Sequence, residues 1–139
     1  MTQAMSHHWA ASYIGTPWVA GQTDCWHFAR AVWRERFGWD VPAVPVSPTD
    51  PRAARRAFMV GPEATGWAPV AGSPVEGDAV LMARGRWPAH VGVLVVLPEG
   101  AAVLHSVEGA GVVVTPLSLL APMGWRLAGI YRRASCAPR

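Results

Sequence analysis

At 139 residues the chain is sized for one domain, and a composition 51% apolar and only 15% charged excludes an intrinsically disordered protein. A net charge of +3 and a pI near 9.5 would suit an anionic partner. The twelve basic residues, all arginines, are however scattered, the groups Arg30/Arg34/Arg36, Arg52/Arg55/Arg56 and Arg132/Arg133 among them, and without a basic run no nucleic-acid partner is expected.

The N-terminal stretch MTQAMSHHWAASYIG has no basic segment followed by an apolar one, so no secretory signal is visible and synthesis in the cytoplasm is expected. Met5, Trp9 and Tyr13, spaced four apart, predict a first helix over 3–14, ended by Gly15-Thr16-Pro17. Asp24 is a good N-cap for a second helix, on which Phe28, Ala29, Val32 and Trp33 recur at three-four spacing before Phe37-Gly38 closes it. Phe28, Val32 and Trp33 are expected to be buried, with Arg30 and Arg34 outside. Three prolines make 40–48 an extended crossover, and Asp50-Pro51 starts a short helix to about Phe58. Gly and Pro then mark 61–77 as a loop. Beyond it, runs at 78–83, 89–97, 101–107, 111–115 and 127–132 are rich in β-branched residues and separated by turn residues. Helices first and strands afterwards predict an α+β domain over 1–133, its N-terminal helices packed on an antiparallel sheet, with 134–139 a flexible C-terminal tail. The longest apolar run, 91–97, is far too short to span a bilayer, so no membrane insertion is expected.

Two cysteines, Cys25 and Cys136, do not make a disulfide framework, and Cys136 falls in the tail. Cys25 is different because Asp24 caps its helix and leaves it in the first turn, where unpaired amides and the helix dipole favour a thiolate. His90, after Trp87-Pro88, opens an apolar strand, and His105 lies inside another. An isolated strand histidine is most simply a core residue bonded to backbone. Two on consecutive strands are harder to read that way, and with a turn at 97–100 His105 faces Gly92 while His90 lies diagonally beside it on the same sheet face. A thiolate nucleophile, an imidazole base and a polar group orienting that base are what a cysteine hydrolase needs. His7 and His8 are adjacent on a helix and cannot share a face, so no metal site is expected there. His27 reads as a pocket residue or a solvated side chain. Most of the eight tryptophans should be core, but Trp18, Trp26 and Trp87 adjoin the key positions and could wall a substrate groove.

Tyr13-Ile14-Gly15-Thr16-Pro17-Trp18, Gly21, Asp24-Cys25, Glu76-Gly77-Asp78, His90-Val91-Gly92-Val93 and Leu104-His105-Ser106 together resemble the NlpC/p-sixty family of papain-like cysteine peptidases, in motif order and over roughly residues 10–132. The resemblance implies a papain-like fold and hydrolysis of amide bonds in peptidoglycan stem peptides, without a cofactor. It implies Cys25 as nucleophile, His90 as general base, His105 as the orienting third member and Asp24 at the substrate-recognition end of the groove; Trp18, Trp26, His27 and Trp87 are candidate substrate-binding positions from their closeness to these residues in the chain. Three positions differ from the family's usual pattern. Trp26 stands where wall-remodelling members carry serine, His27 where glycine is usual, and Trp18 where tyrosine is usual.

The Asp-Cys-Trp form, the small size and the lack of a wall-binding module resemble the phage-tail branch. That branch implies tail hub or tip proteins as partners and local opening of the cell wall from a tail or tail-like particle. Two alternatives stand beside this reading. One is a catalytically inactive tail-tip protein on the same fold, its groove filled by Trp18, Trp26 and His27; the other is an acyltransferase or thioesterase using the same trio.

Overall fold

The computed structural model describes residues 8–41, 66–84 and 87–133, with backbone alone at 87–89. Residues 3–7 of the first expected helix, most of the 40–48 crossover, the 50–58 helix, the Trp87 side chain, Cys136 and the tail lie outside the described residues. The architecture is α+β. Six antiparallel strands, β1 (Trp67–Pro69), β2 (Ala79–Arg84), β3 (Trp87–Leu97), β4 (Gly100–Val107), β5 (Gly111–Pro116) and β6 (Arg126–Arg133), form one sheet in the order β1-β6-β2-β3-β4-β5. The plural helices of the sequence reading reduce, among the described residues, to a single α-helix, α1 (Cys25–Val32). Trp9–Tyr13 winds as a 3-10 helix, with the His8 ring accepting from the Ala10 N–H.

α1 forms because each end is satisfied. The Asp24 carboxylate accepts from the His27 N–H at 2.9 Å, and the chain leaves through a π-type turn, Trp33–Phe37, into Gly38 at φ 73°. Cys25, Phe28, Ala29 and Val32 make one apolar stripe, which with Trp33 packs on Val91, Val93, Val95, Ala102 and Leu104 of the sheet. Arg34 is exposed, and Arg30 is half-buried, its Nε donating to the Val41 carbonyl. The opposite sheet face is covered as well, because Val80, Met82, Leu94 and Val103 meet Leu120 and Trp125 from the β5–β6 connection. Burial on both faces explains why 89–97 reads as a nearly continuous apolar run rather than an alternating one.

β1 is the strand that the sequence reading left as loop. Three residues ending in proline cannot display a two-residue period, and the partner, β6, lies at the other end of the chain, with Trp67 opposite Arg133. The β3–β4 hairpin turns at Pro98-Glu99, pairing Leu97 with Gly100 and Val93 with Leu104. Continued one step, that register sets Gly92 against His105, as the parity of the two histidines requires. A Cβ on Gly92 would lie 2.4 Å from Val103 Cγ2, 2.8 Å from His105 Cβ and 2.8 Å from the Leu104 carbonyl oxygen, so only glycine lets β4 approach this closely. Among the described residues no helix is long and apolar enough to cross a membrane.

Trp33 is wholly buried, donates its indole N–H to the Gly77 carbonyl at 2.9 Å and packs against Trp26 and Trp67. Trp33→Ala should cost roughly 3–5 kcal/mol and lower the melting temperature by on the order of 10 °C or more. A melting curve within about 2 °C of the parent would contradict this packing.

Candidate active site

Three local devices bring the start of α1 to the sheet. The loop before it is pinned to edge strand β5: the Gly15 N–H donates to the Val112 carbonyl at 3.0 Å and the Val112 N–H donates to the Thr16 carbonyl at 2.9 Å. Gly111, at φ 81°, is required there, since a Cβ would lie 2.6 Å from the Thr16 carbonyl oxygen. Thr23 donates its hydroxyl to the Pro17 carbonyl at 2.6 Å, and Ser106 of β4 donates its own to the Thr23 carbonyl at 2.6 Å. These bonds hold Trp18 and Cys25 at the end of the sheet where β2 finishes, β3 begins and β4 finishes.

A cavity of about 460 Å³ opens at that end, lined by Trp18, Cys25, Arg84, His90, Val107, Glu108 and Trp125. His90 reaches it beside a β-bulge: Met82 pairs with His90 but Ala83 with Pro88, so the ladder skips Ala89. A bulge re-aims the side chains next to it and accommodates a proline that has no N–H to give. The His90 ring stacks on Trp125, centroids 4.3 Å apart and planes 14° from parallel. Behind it, His90 Nε2 and His105 Nδ1 are 2.8 Å apart, and His105 Nε2 lies 3.0 Å from Thr115 Oγ1. In one proton order His90 donates to His105 and His105 donates to Thr115, which leaves Nδ1 of His90 as the ring nitrogen able to accept a proton.

Burial governs the protonation of this group. Desolvation pushes the Cys25 thiol up to about 11, with the Asp24 carboxylate adding to it, against N–H groups of Val91, Trp26 and Cys25 itself that favour the thiolate. Desolvation likewise holds His90 well below the ordinary histidine value, assisted by His105 and by the Arg84 charge. His105 is lowered to about 4 by burial and then by Arg84. Burial thus favours the neutral thiol of Cys25 and the neutral rings of His90 and His105. The thiolate expected from the capped helix start is outweighed, because Cys25 is only 8% exposed and the helix-end field is worth less than the desolvation it would have to offset.

The remaining sequence-predicted positions divide. Trp18 lines the cavity with Cys25 and His90. Asp24 is fully buried beneath it, accepting from the Gly21 N–H at 2.6 Å, the His27 N–H and the His27 ring at 2.8 Å. Burial works to raise its carboxyl, but these donors prevail and hold it below the ordinary range. His27 thus sits on Asp24, half-exposed, and Trp26 packs edge-on against Trp33 on the core side. Thr115, Trp125, Arg84 and Glu108 were not singled out by sequence. A threonine ending the Val112-Val113-Val114 run gave a faint signal for Thr115, whereas the other three come together only through the β2, β4 and β6 ends. Among the described residues no group of three or more histidine, cysteine or acidic side chains is placed to hold a metal ion. No family model matches the chain, and no curated protein matches it.

Two outcomes follow from these protonation states. Alkylation of Cys25 by iodoacetamide should keep rising with pH, about tenfold per unit from pH 7 to 9; a plateau below pH 7 would reveal a thiolate–imidazolium pair instead. Second, the unfolded chain protonates His105 near the ordinary histidine value of 6.5 while the folded chain resists to about 4. The unfolded state then binds more protons in that window, so stability falls as pH drops from 6.5 towards 4. A His105→Gln variant should lose part of that slope in melting temperature against pH, and an unchanged slope would contradict the buried neutral ring.

Proposed function

We propose that this domain is a papain-like cysteine peptidase or amidase of the NlpC/p-sixty type that hydrolyses amide bonds of peptidoglycan stem peptides. The observation that carries the reading is the sharing of one cavity by Cys25, at the capped start of α1, and His90, whose Nε2 is engaged by a His105–Thr115 chain that leaves Nδ1 free. The sequence resemblance supplies the substrate class.

In this mechanism Cys25 Sγ attacks the scissile carbonyl carbon as its proton passes to His90 Nδ1, forming the S–C bond and a tetrahedral oxyanion to which the Cys25 backbone N–H donates. The C–N bond then breaks and His90 returns the proton to the leaving amine. Water, deprotonated by His90, cleaves the thioester and restores the thiol. His105 and Thr115 hold the base in the required tautomer and ring orientation without taking the transferred proton. Because thiol and imidazole start neutral, attack is of the general-base kind rather than from a preformed ion pair. Delivery by a phage tail or tail-like particle, with tail hub or tip proteins as partners, completes the proposal and rests on the resemblance of the Asp24-Cys25-Trp26 form to the phage-tail branch.

A second reading is favoured by one observation: a thiol 8% exposed and pushed up to about 11 is what an inert tail-tip protein on the same fold would carry. Purified muropeptides separate the two. The parent chain should release new amino termini from them, and Cys25→Ala should reduce turnover by at least about a thousandfold while leaving the melting temperature within a few degrees. His105→Ala should reduce turnover less than Cys25→Ala does. Parent protein that is folded yet turns over neither muropeptides nor acyl thioesters would leave the inert reading in place.

A further inference from the structure

Arg84 ends β2 and lines the cavity beside Cys25 and His90. It is exposed but not loose. Its guanidinium carbon lies 3.8 Å from the centroid of the Trp125 ring, its Nη2 donates to the Met123 carbonyl at 3.1 Å, and its Nε makes a longer contact of 3.4 Å to the Gly124 carbonyl. Trp125 in turn stacks on His90, so cation, indole and imidazole form one column at the cavity wall. These bonds use two of the five N–H donors that a guanidinium carries. Both acceptors are neutral carbonyls, and among the described residues no carboxylate pairs with Arg84. Glu108 lines the same cavity, yet the two form no ion pair. A free arginine gives up rotamer entropy when it binds an anion; here stacking and the two carbonyls have already ordered it.

We infer that Arg84 is the specificity-determining residue of this site, and that it receives a carboxylate of the substrate, one that lies within the span of the cavity from the carbonyl that Cys25 attacks. The inference rests on the Cys25–His90 reading of the cavity. Arginine is suited to the task because its planar fork matches a carboxylate with charge-assisted hydrogen bonds. The cavity falls in the size range of small-molecule sites, about 300–1,000 Å³, which fits an end group or branch of a peptide rather than an extended polymer. Glu108 disfavours a polyanion such as nucleic acid and leaves a single carboxylate, or a carboxylate with a neighbouring ammonium, as the complementary ligand. Binding has a second consequence. The Arg84 charge is one of the influences that hold His90 and His105 neutral, so a carboxylate seated on it would offset that charge and make His90 a better proton acceptor when substrate arrives.

Paired alkylating reagents test this without a known substrate. Iodoacetate and iodoacetamide both form the S–C bond with loss of iodide and of the thiol proton, but only iodoacetate carries the carboxylate. Rates are read at the Cys25 peptide by mass spectrometry and normalised to a small-molecule thiol in the same tube. The iodoacetate-to-iodoacetamide ratio at Cys25 should exceed that of the free thiol by about tenfold, the size of one charge-assisted hydrogen bond. Arg84→Gln should abolish the excess, and Arg84→Lys should keep part of it. In the unaltered protein, added acetate should slow iodoacetate by competition without slowing iodoacetamide, which needs no variant to fold. Reaction with both reagents at the free-thiol ratio, unmoved by Arg84→Gln or acetate, would overturn the role of Arg84 and leave the nucleophile standing. Folded protein whose Cys25 reacts with neither reagent would overturn the catalytic reading and this inference with it.

Discussion

The close approach of β4 to β3 at Gly92 is the constraint from which the geometry of the site descends. With no side chain at Gly92, the Cβ of His105 and the Leu104 carbonyl occupy space that any larger residue would claim. The hairpin can then keep a two-residue turn and an unbroken register from Leu97–Gly100 to Val93–Leu104, and the His105 ring arrives diagonally beside His90 at 2.8 Å between nitrogens. A slip of one residue would turn every side chain of β4 over and separate the two rings. Register, sheet packing and the orientation of the His90 ring are thus one property of the chain.

Cys25 comes from the other side. It heads a helix on the opposite face of the sheet from Trp125 and reaches the cavity only at the strand ends, where the Val91 N–H meets its sulfur. Asp24 supports that placement from below. Its carboxylate caps α1, takes the Gly21 N–H and holds the His27 ring, so its charge is consumed within the scaffold. The position that the family resemblance places at substrate recognition is engaged here in capping α1 beside Cys25, and the cation on the cavity wall is Arg84.

Other acidic side chains fasten loops in the same way. Asp78 accepts two bonds from the Arg132 guanidinium, each 2.9 Å, and one from the Val75 N–H at 2.8 Å, joining the approach to β2 with β6. Glu76 accepts from the Trp9 indole, the Val96 N–H and the His8 ring, whose Nδ1 is already accepting from Ala10 and whose proton therefore lies on Nε2. Burial presses the Glu76 carboxyl upward, but these donors hold it below its ordinary value. The Glu76-Gly77-Asp78 stretch thus belongs to the frame that positions the site rather than to its chemistry.

Much of this was legible in the residues alone because the signals are local. Asp24 as cap, the three-four stripe on α1, five of the six strands and the shared face of His90 and His105 each follow from spacing and chain stiffness over a few residues. Strand β1 was not legible, since its partner lies more than sixty residues away. Nor were Arg84, Trp125 and Glu108, which sit on different elements and become neighbours only when strand ends converge. For Cys25 the local and the tertiary influences oppose one another. The sequence by itself determined the helix-end field acting on the thiol, which is a property of one turn of chain. The desolvation that overrides it comes from every element packed around the sulfur, and only the tertiary structure could decide which of the two prevails.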